Sequence, residues 1–125
     1  MCNATEKIIV VRQDIINFIN KKYSVNPEYL WRRYPDFCVF RRDDNEKWFA
    51  IIMKISREKF QLSGDGAIDV INVKTDNVEF FLGVPGIFPA YHMNKNNWVS
   101  VLLNGTVPAG NVKKLVEMSY ALVEK

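Results

Sequence analysis

Apolar residues recur at helical spacing near both ends of the chain. Between residues 3 and 22 this period predicts an amphipathic helix, whose stripe contains Ile8, Val11, Ile15 and Ile19. Asn3, with Glu6 three residues later, resembles a capping box at its start. A second stripe predicts a last helix with Pro108 as its first residue. That stripe contains Val112, Leu115, Val116, Ser119, Leu122 and Val123.

The middle of the chain carries β-rich runs separated by polar turns. Residues 37–42 and 47–55 flank the polar cluster at 43–46, which predicts a β-hairpin. Regular alternation along 47–55 predicts two faces. One would hold Phe49, Ile51, Met53 and Ile55, and the other Trp48, Ala50 and Ile52.

Further elements follow the hairpin. Residues 68–74 and the run Trp98 to Leu103 predict two more strands. Asp76 is predicted to cap a short helix that runs through Phe81 and ends at Gly83. Residues 84–97 contain two prolines and are predicted to be irregular.

This order of elements predicts an α+β domain in which helices cover one face of an antiparallel sheet. The 125 residues are typical of one domain, and 48% are hydrophobic, so the chain can bury a core without disulfides or a structural metal. We therefore expect residues 1–125 to form a single domain.

Charge and cysteine content narrow the class of protein. The net charge is only +3, and the two cysteines, Cys2 and Cys38, form no C-x-x-C pair. Residues 1–60 carry 12 Lys or Arg against 8 Asp or Glu, so a basic face would lie in that half. The chain has neither a secretory leader pattern nor an apolar run long enough for a membrane span. We expect a cytoplasmic protein with no membrane contact.

No combination of residues predicts catalysis. His92 is the only histidine, and no acidic residue near it in sequence would orient it as a general base. Cys38 lies in an apolar run and is interpreted as a small buried hydrophobe. The acidic residues at 43–46 fit a solvated turn. We expect no catalytic residue, no metal, no cofactor and no enzymatic activity.

Basic residues cluster near the predicted turns. Arg41, Arg42 and Lys47 flank the first turn, and Arg57 and Lys59 follow the second strand. If the two turns lay beside each other, these side chains would contact phosphates as winged modules do. A solvated charged edge that discourages edge-to-edge pairing is an equally good interpretation.

Several segments together resemble one known family, MmcQ/YjbR. They are YPDFCVFR at 34–41, KWFAIIM at 47–53, DVINVK at 69–74, PGIFPAYHMNK at 85–95, Trp98, and Ser119 with Tyr120. The resemblance spans essentially the whole chain. It implies a CyaY-like fold, an antiparallel sheet flanked by N- and C-terminal helices, and DNA binding through a double wing of hairpin tips. Two positions depart from the family pattern, which usually has Gly at Ala90 and often His at Asn97.

Two functional hypotheses follow. The first is a monomeric domain that binds duplex DNA through Arg41, Arg42, Lys47, Arg57, Lys59, Asn94 and Lys95. The alternative is a pocket for a small molecule or a protein, formed by Trp48, Tyr91, His92, Asn94, Lys95 and Trp98. In both, we expect Tyr91, His92, Asn94 and Lys95 to be partly buried and Trp98 to pack against the sheet.

Overall fold

Two helices, one near each end of the described chain, pack on the same face of an antiparallel sheet. The computed structural model describes residues 11–124. In chain order its elements are α1 (Arg12–Tyr23), β1 (Cys38–Arg41), β2 (Trp48–Ser56), a 3-10 turn (Arg57–Phe60), β3 (Ala67–Lys74), α2 (Val78–Phe81), β4 (Ile87–Pro89), β5 (Trp98–Leu102) and α3 (Ala109–Leu122).

The sheet has five strands in the order β1-β2-β3-β5-β4, and every neighbouring pair is antiparallel. The predicted α+β class, an antiparallel sheet flanked by an N-terminal and a C-terminal helix, is confirmed. Within residues 11–124, none of the helices has the length and apolar character needed to cross a bilayer.

The core between the helices and the sheet follows the predicted stripes except at Leu122 and at Val11, which precedes α1 as its N-cap and is 48% exposed. Ile15 and Ile19 of α1 and Val112 and Val116 of α3 are fully buried against it. Ser119 ties α3 to the sheet, because its hydroxyl donates to the Phe49 carbonyl at 2.7 Å and accepts from the Lys74 amide at 2.8 Å. Leu122, predicted to belong to the stripe, is instead 38% exposed, whereas the next residue, Val123, is buried in this core.

No helix among residues 11–124 covers the opposite face of the sheet, which we call the open face. Its apolar residues, such as Met53 and Val70, pack against the loop before β1, the 3-10 turn and the segment after β4. Loops carry no continuous apolar stripe, so single large side chains cover this face. They are Trp31, Phe37, Trp48, Phe60, Phe88 and Tyr91.

A β-bulge in the first hairpin corrects the predicted alternation. Phe40 pairs with Ala50, but Arg41 pairs with Trp48, so one extra residue of β2 is accommodated there. Phe49 therefore joins Ala50 in the helix-side core, and Trp48 packs on the open face. The prediction had these two rings the other way round, since strict period-two counting fails across a bulge.

Three element boundaries also differ from the predictions. The cap of α2 is Asn77, whose side chain accepts from the Phe80 amide at 3.4 Å, and not Asp76. Pro108 precedes α3 as its N-cap and is not its first helical residue. Segment 84–97, predicted to be irregular, contains β4, which is only three residues long and too short to give a periodic signal. Residues 3–10, including the predicted capping pair, lie outside the described chain.

Gly86 offers a test of how closely the segment before β4 packs. Its φ is +91°, and an added Cβ would lie 2.9 Å from methyl groups of Thr106 and Val107. Gly66 has the same φ of +91° with no atom within 4 Å of an added Cβ. Both Gly→Ala substitutions should suffer left-handed backbone strain of about 1–2 kcal/mol. Gly86→Ala should lose about 1–3 kcal/mol more, because the new methyl overpacks its neighbours.

Urea denaturation of the two glycine variants measures the difference directly. Since their backbone strain is matched, the excess loss for Gly86→Ala isolates the packing contribution. Equal free energies of unfolding in the two variants would contradict close packing around residue 86.

Candidate functional site

The basic residues predicted at the two turns do not meet on one surface. The turn between β1 and β2 and the connection from β2 to β3 lie at opposite ends of β2, as in any antiparallel meander. The nine residues of β2 separate these ends by about 26 Å at about 3.3 Å per residue. The prediction that the two turns present Arg and Lys beside each other is therefore wrong.

Arg42 holds the hairpin to the end of α3. Its guanidinium donates to both Asp44 carboxylate oxygens at 2.9 and 2.7 Å and to the Tyr120 carbonyl at 2.9 Å. It also lies 4.0 Å from the centroid of the Tyr120 ring. The hydrogen bonds from Arg42 lower the pKa of the Asp44 carboxyl, so this pair stays ionised at neutral pH. With only 8% of Arg42 exposed, the expected phosphate contact there is corrected to a structural role.

Arg41 is also engaged within the chain. Its Nε donates to the Glu28 carboxylate at 3.1 and 3.2 Å, and its guanidinium carbon lies 5.9 Å from the centroid of the Trp48 ring. A hollow at this end of the sheet has both arginines in its lining together with Glu28, Asp43 and Glu46. Carboxylates beside the arginines make this end a poor site for a polyanion.

Four other predicted basic residues have open side chains. Lys47, Lys59 and Lys95 are exposed and Arg57 is half-buried. None of the four forms an ion pair with another residue of the chain between 11 and 124. Lys59 and Lys95, although distant in sequence, line the same depression on the open face.

The segment after β4 lies closer to solvent than predicted. Tyr91 is half-buried, whereas His92, Asn94 and Lys95 are exposed. His92 has a φ of 63°, a left-handed conformation that turns the chain back over the open face. The Asn94 side chain accepts the Asn96 amide at 2.8 Å, so it shapes a local turn. Partial burial is thus wrong for these three residues.

Trp98 was predicted to pack against the sheet and also to line the alternative pocket. Only 8% of it is exposed, and it lies in the core beneath the open face. The packing prediction is confirmed. Trp98 and Asn94 are both absent from the linings of the depressions on the open face, so the predicted pocket is assembled from other residues.

Three adjoining depressions cross the open face, and we call them together the aromatic groove. The first is a cavity of about 280 Å³ that we call the slot, lined by Trp31, Tyr34, Phe37, Trp48, Ile51, Met53, His92 and Met93. The second, of about 190 Å³, shares Tyr34, Phe37 and His92 with the slot and adds Lys59 and Tyr91. The third, of about 350 Å³, shares those last two and adds Phe60, Phe88 and Lys95.

The rings of the slot meet at steep angles. The Trp31 and Trp48 centroids are 5.9 Å apart with planes at 82°, and Trp31 and Phe37 are 6.1 Å apart at 71°. Tyr34 stacks on Phe37 with centroids 4.8 Å apart. Edge-to-face pairs of this kind are stable without a ligand, so the slot is preformed.

Charge along the aromatic groove is of one sign. Its lining contains Lys54, Lys59 and Lys95, and among residues 11–124 it contains no Asp or Glu. Lys54 already pairs with Asp69 at 3.3 Å. Lys59 and Lys95 are therefore the groove lysines that form no ion pair with another described residue. The groove therefore suits an anionic ligand that carries flat or apolar groups.

A buried polar pair fixes the segment that closes the groove. Asn72 of β3 and Ser100 of β5 are both fully buried, and the Ser100 hydroxyl donates to the Asn72 side-chain oxygen. Ser100 Oγ accepts the Tyr91 amide, and Asn72 Nδ2 donates to the Tyr91 carbonyl, each at 2.9 Å. Both backbone groups of Tyr91 are thereby held, which positions His92 at the rim of the slot.

Several residues of this site were not among those predicted from the sequence. Trp31, Tyr34 and Phe37 lie in a loop that runs into β1, where their number was itself a sign that the loop packs against the body. Asn72 and Ser100 are polar residues inside otherwise apolar strands. A polar side chain buried in a sheet needs a hydrogen-bond partner. The presence of polar residues within apolar strand runs could therefore have indicated these two positions from the sequence.

Groups suited to nucleophilic or metal chemistry do not converge in the described part of the chain. Cys38 is fully buried, as predicted, and burial raises the pKa of its thiol, which disfavours the reactive thiolate. Between residues 11 and 124 no three His, Cys, Asp or Glu side chains lie close enough to hold a metal ion. The absence of a bound transition metal stays a prediction, to be checked by elemental analysis of the purified protein.

Comparison with known proteins identifies the family. A family model described as YjbR matches residues 20–122. The chain belongs to the YjbR family. A relative in this family, the uncharacterized protein YyaQ of Bacillus subtilis strain 168, is 35% identical over 118 residues, covering 93% of this chain and 100% of that one. The uncharacterized protein YbdF of Escherichia coli O157:H7 is 31% identical over 100 residues, covering 77% of this chain and 71% of that one.

Solved structures share the fold of this YjbR protein. A crystal structure of a Pseudomonas syringae protein has 43% identity and a TM-score of 0.88, covering 91% of this chain and 99% of that one. A Deinococcus radiodurans protein with the family-model domain DUF419 has 24% identity and a TM-score of 0.71, covering 94% and 81%, which supports the fold alone. What this YjbR protein binds has to be argued from its own groove.

Asn72 tests whether the buried polar pair holds the rim of the groove. Asn72→Ala removes the donor to the Tyr91 carbonyl and leaves buried polar groups unpaired, which should cost about 1–3 kcal/mol of unfolding free energy. In the Asn72→Ala variant, the Tyr91 and His92 amides should also exchange with deuterium faster than in the unsubstituted protein, and this acceleration should exceed that of the β2 amides. The matched control is Asn111→Ala, because Asn111 is exposed on α3 and should change stability by less than about 0.5 kcal/mol. Unchanged exchange at Tyr91 would contradict the positioning role.

Proposed function

We propose that this YjbR protein is a non-enzymatic DNA-binding domain whose contact surface is the aromatic groove and not a pair of hairpin tips. The observation that carries the proposal is the lining of the groove. It combines aromatic rings with Lys59 and Lys95, and among the described residues no carboxylate opposes them. No described residue is proposed as catalytic, since Cys38 is buried with a raised thiol pKa and no three described His, Cys, Asp or Glu side chains could hold a metal ion.

DNA matches both components of this lining. Its phosphates are attracted to lysines that lack an acidic partner, and this attraction supplies most of non-specific affinity. Its bases have flat faces that stack on aromatic side chains. Arg57 continues the basic edge, since it begins the 3-10 turn that carries Lys59. Lys59, Lys95 and Arg57 are thus the proposed phosphate contacts.

The hairpin end of the sheet contributes less in this proposal than the sequence alone indicated. Arg42 is buried, Arg41 is paired with Glu28, and acidic residues share the hollow between them. Lys47 remains exposed, but it is the only one of the three basic residues predicted at this turn that forms no ion pair with a described residue. A surface that needed both turns would have to span about 26 Å with one open cation at the first.

A small molecule or a protein segment is the second candidate ligand, and the preformed aromatic lining of the slot favours it. Cavities that bind small ligands have volumes of about 300–1,000 Å³ and are largely preformed, apolar and aromatic. The slot has a volume of about 280 Å³, and its ring walls are in contact without a ligand. Binding there without any affinity for DNA would make this candidate the function.

Salt dependence tests the DNA proposal. Three phosphate contacts imply log–log slopes of about −2.1 on single strands and about −2.7 on duplex DNA. Affinity should therefore fall about 20-fold and about 40-fold, respectively, between about 50 and 200 mM salt. Lys59→Gln and Lys95→Gln should each reduce the slope by about 0.7–0.9 and weaken all sequences alike. Fluorescence anisotropy with labelled oligonucleotides measures both quantities.

Two further variants sharpen the salt experiment. Lys114→Gln is the matched control, because Lys114 is exposed on α3, the helix on the other side of the sheet. Lys47→Gln should leave the slope unchanged if the groove is the surface, and should reduce it if the hairpin tip is. No binding of either DNA form at about 50 mM salt, where phosphate contacts are strong, would reject the DNA proposal.

A further inference from the structure

We propose that the slot accepts one unstacked base, so that this domain binds single-stranded DNA in preference to duplex DNA. The inference rests on the proposed function and adds where the base goes and which form of DNA is preferred. It depends on the geometry of Trp31, Phe37 and Trp48, on the size of the slot, and on the position of Lys59 beside it.

The walls of the slot form an aromatic corner. Trp31 stands nearly perpendicular to both Trp48 and Phe37, at 82° and 71°. A flat ring placed against one wall meets the next wall edge-on, and stacked and edge-to-face contacts are the two favoured aromatic geometries. Ile51 and Met53 of β2 close the bottom with apolar surface. The slot thus fits the face and the edge of one ring system.

The size of the slot excludes a base that stays in a duplex. At about 280 Å³ the slot has room for a single ring system, and Ile51 and Met53 of β2 close its floor. A duplex base would have to leave its stack to enter, which costs a few kcal/mol. A single strand has its bases already available, so the cost of opening a duplex becomes a preference for single strands.

A phosphate site adjoins the slot. His92 lies in the lining of both the slot and the next depression, which also contains Lys59. Lys59 in turn shares the third depression with Lys95. A strand with one base in the slot can therefore pass His92 and place successive phosphates near the two lysines. Lysines line this groove and none of its described lining residues is Asp or Glu, which favours this polyanion over an acidic or neutral peptide.

The slot has few groups that read a base. Its lining is mainly aromatic and aliphatic, and the side chains in it that carry a polar group are His92, Tyr34, Trp31 and Trp48. Stacking is tolerant of sequence because every base has a π-face. Weak sequence preference is therefore expected.

The fluorescence of the three tryptophans tests the slot in the intact protein. Trp31 and Trp48 form two of its walls, whereas Trp98 is buried elsewhere in the core. A thymidine 12-mer should quench Trp31 and Trp48 and bind at least about tenfold more tightly than a duplex of the same length, since unpairing a base costs a few kcal/mol. Trp31→Phe and Trp48→Phe variants assign the quenched residues.

Substitution of one wall should weaken single-strand binding specifically. Trp31→Ala should lose about fivefold to 150-fold in affinity for the 12-mer, the range found for removing one stacking ring. Trp31→Phe should restore most of it, because a ring remains. Phe80→Ala is the matched control, since Phe80 is 62% exposed on α2 and outside the slot. Thermal unfolding of each variant separates lost binding from lost folding.

Three other outcomes would each overturn the slot proposal, and they can be told apart. Equal affinity for both DNA forms, reduced by Lys59→Gln but not by Trp31→Ala, would reject the slot and leave the proposed function. Quenching by free thymidine monophosphate without binding of either polymer would reject both in favour of a small ligand. Quenching by a proline-rich peptide, with none by the 12-mer, would assign the slot to a protein partner and reject the proposal.

Discussion

The absence of helical cover on the open face is the constraint from which the rest of the described structure follows. A sheet buries both faces only if something apolar lies on each, and here α1 and α3 cover the same one. The loops before β1 and after β4 must therefore cover the other with a few large rings. Rings on loops pack less completely than a helix stripe does, and the gaps between them are the aromatic groove.

Buried hydrogen bonds keep those loops in place. Loops have few backbone partners of their own, so the Asn72–Ser100 pair supplies them for Tyr91, and the Glu28–Val39 backbone bridge supplies them for the loop before β1. Unpaired polar groups at these positions would be costly. The polar residues inside the sheet thus serve the surface above it.

The sequence predicted the regular parts of the fold well because they depend on periodicity. The strands predicted at 37–42, 47–55, 68–74 and 98–103 differ from the structure by no more than one residue at either end, and α3 begins one residue later than predicted. The β-bulge, β4 and the Asn77 cap were missed. A bulge is a matter of pairing between strands, a three-residue strand has no period, and Asp76 and Asn77 are equally good caps in isolation.

The site was less predictable because it depends on what each side chain contacts. Arg41 and Arg42 read as one basic pair, yet one is bound by Asp44 and Tyr120 and the other by Glu28. Lys59 and Lys95 are brought together only by the fold. Topology alone, however, was enough to exclude adjacent hairpin tips, since consecutive turns of a meander alternate between the two ends of a sheet.

The β-bulge at Arg41 has a consequence for protein engineering. Irregular pairing is a common target when a natural hairpin is idealised, because regular ladders are easier to design. Here a regular ladder would turn the Trp48 indole into the helix-side core and bring Phe49 to the open face, reversing the arrangement that the bulge creates. The amino-acid composition would be unchanged and the sheet more uniform, but the aromatic corner would lose one of its walls.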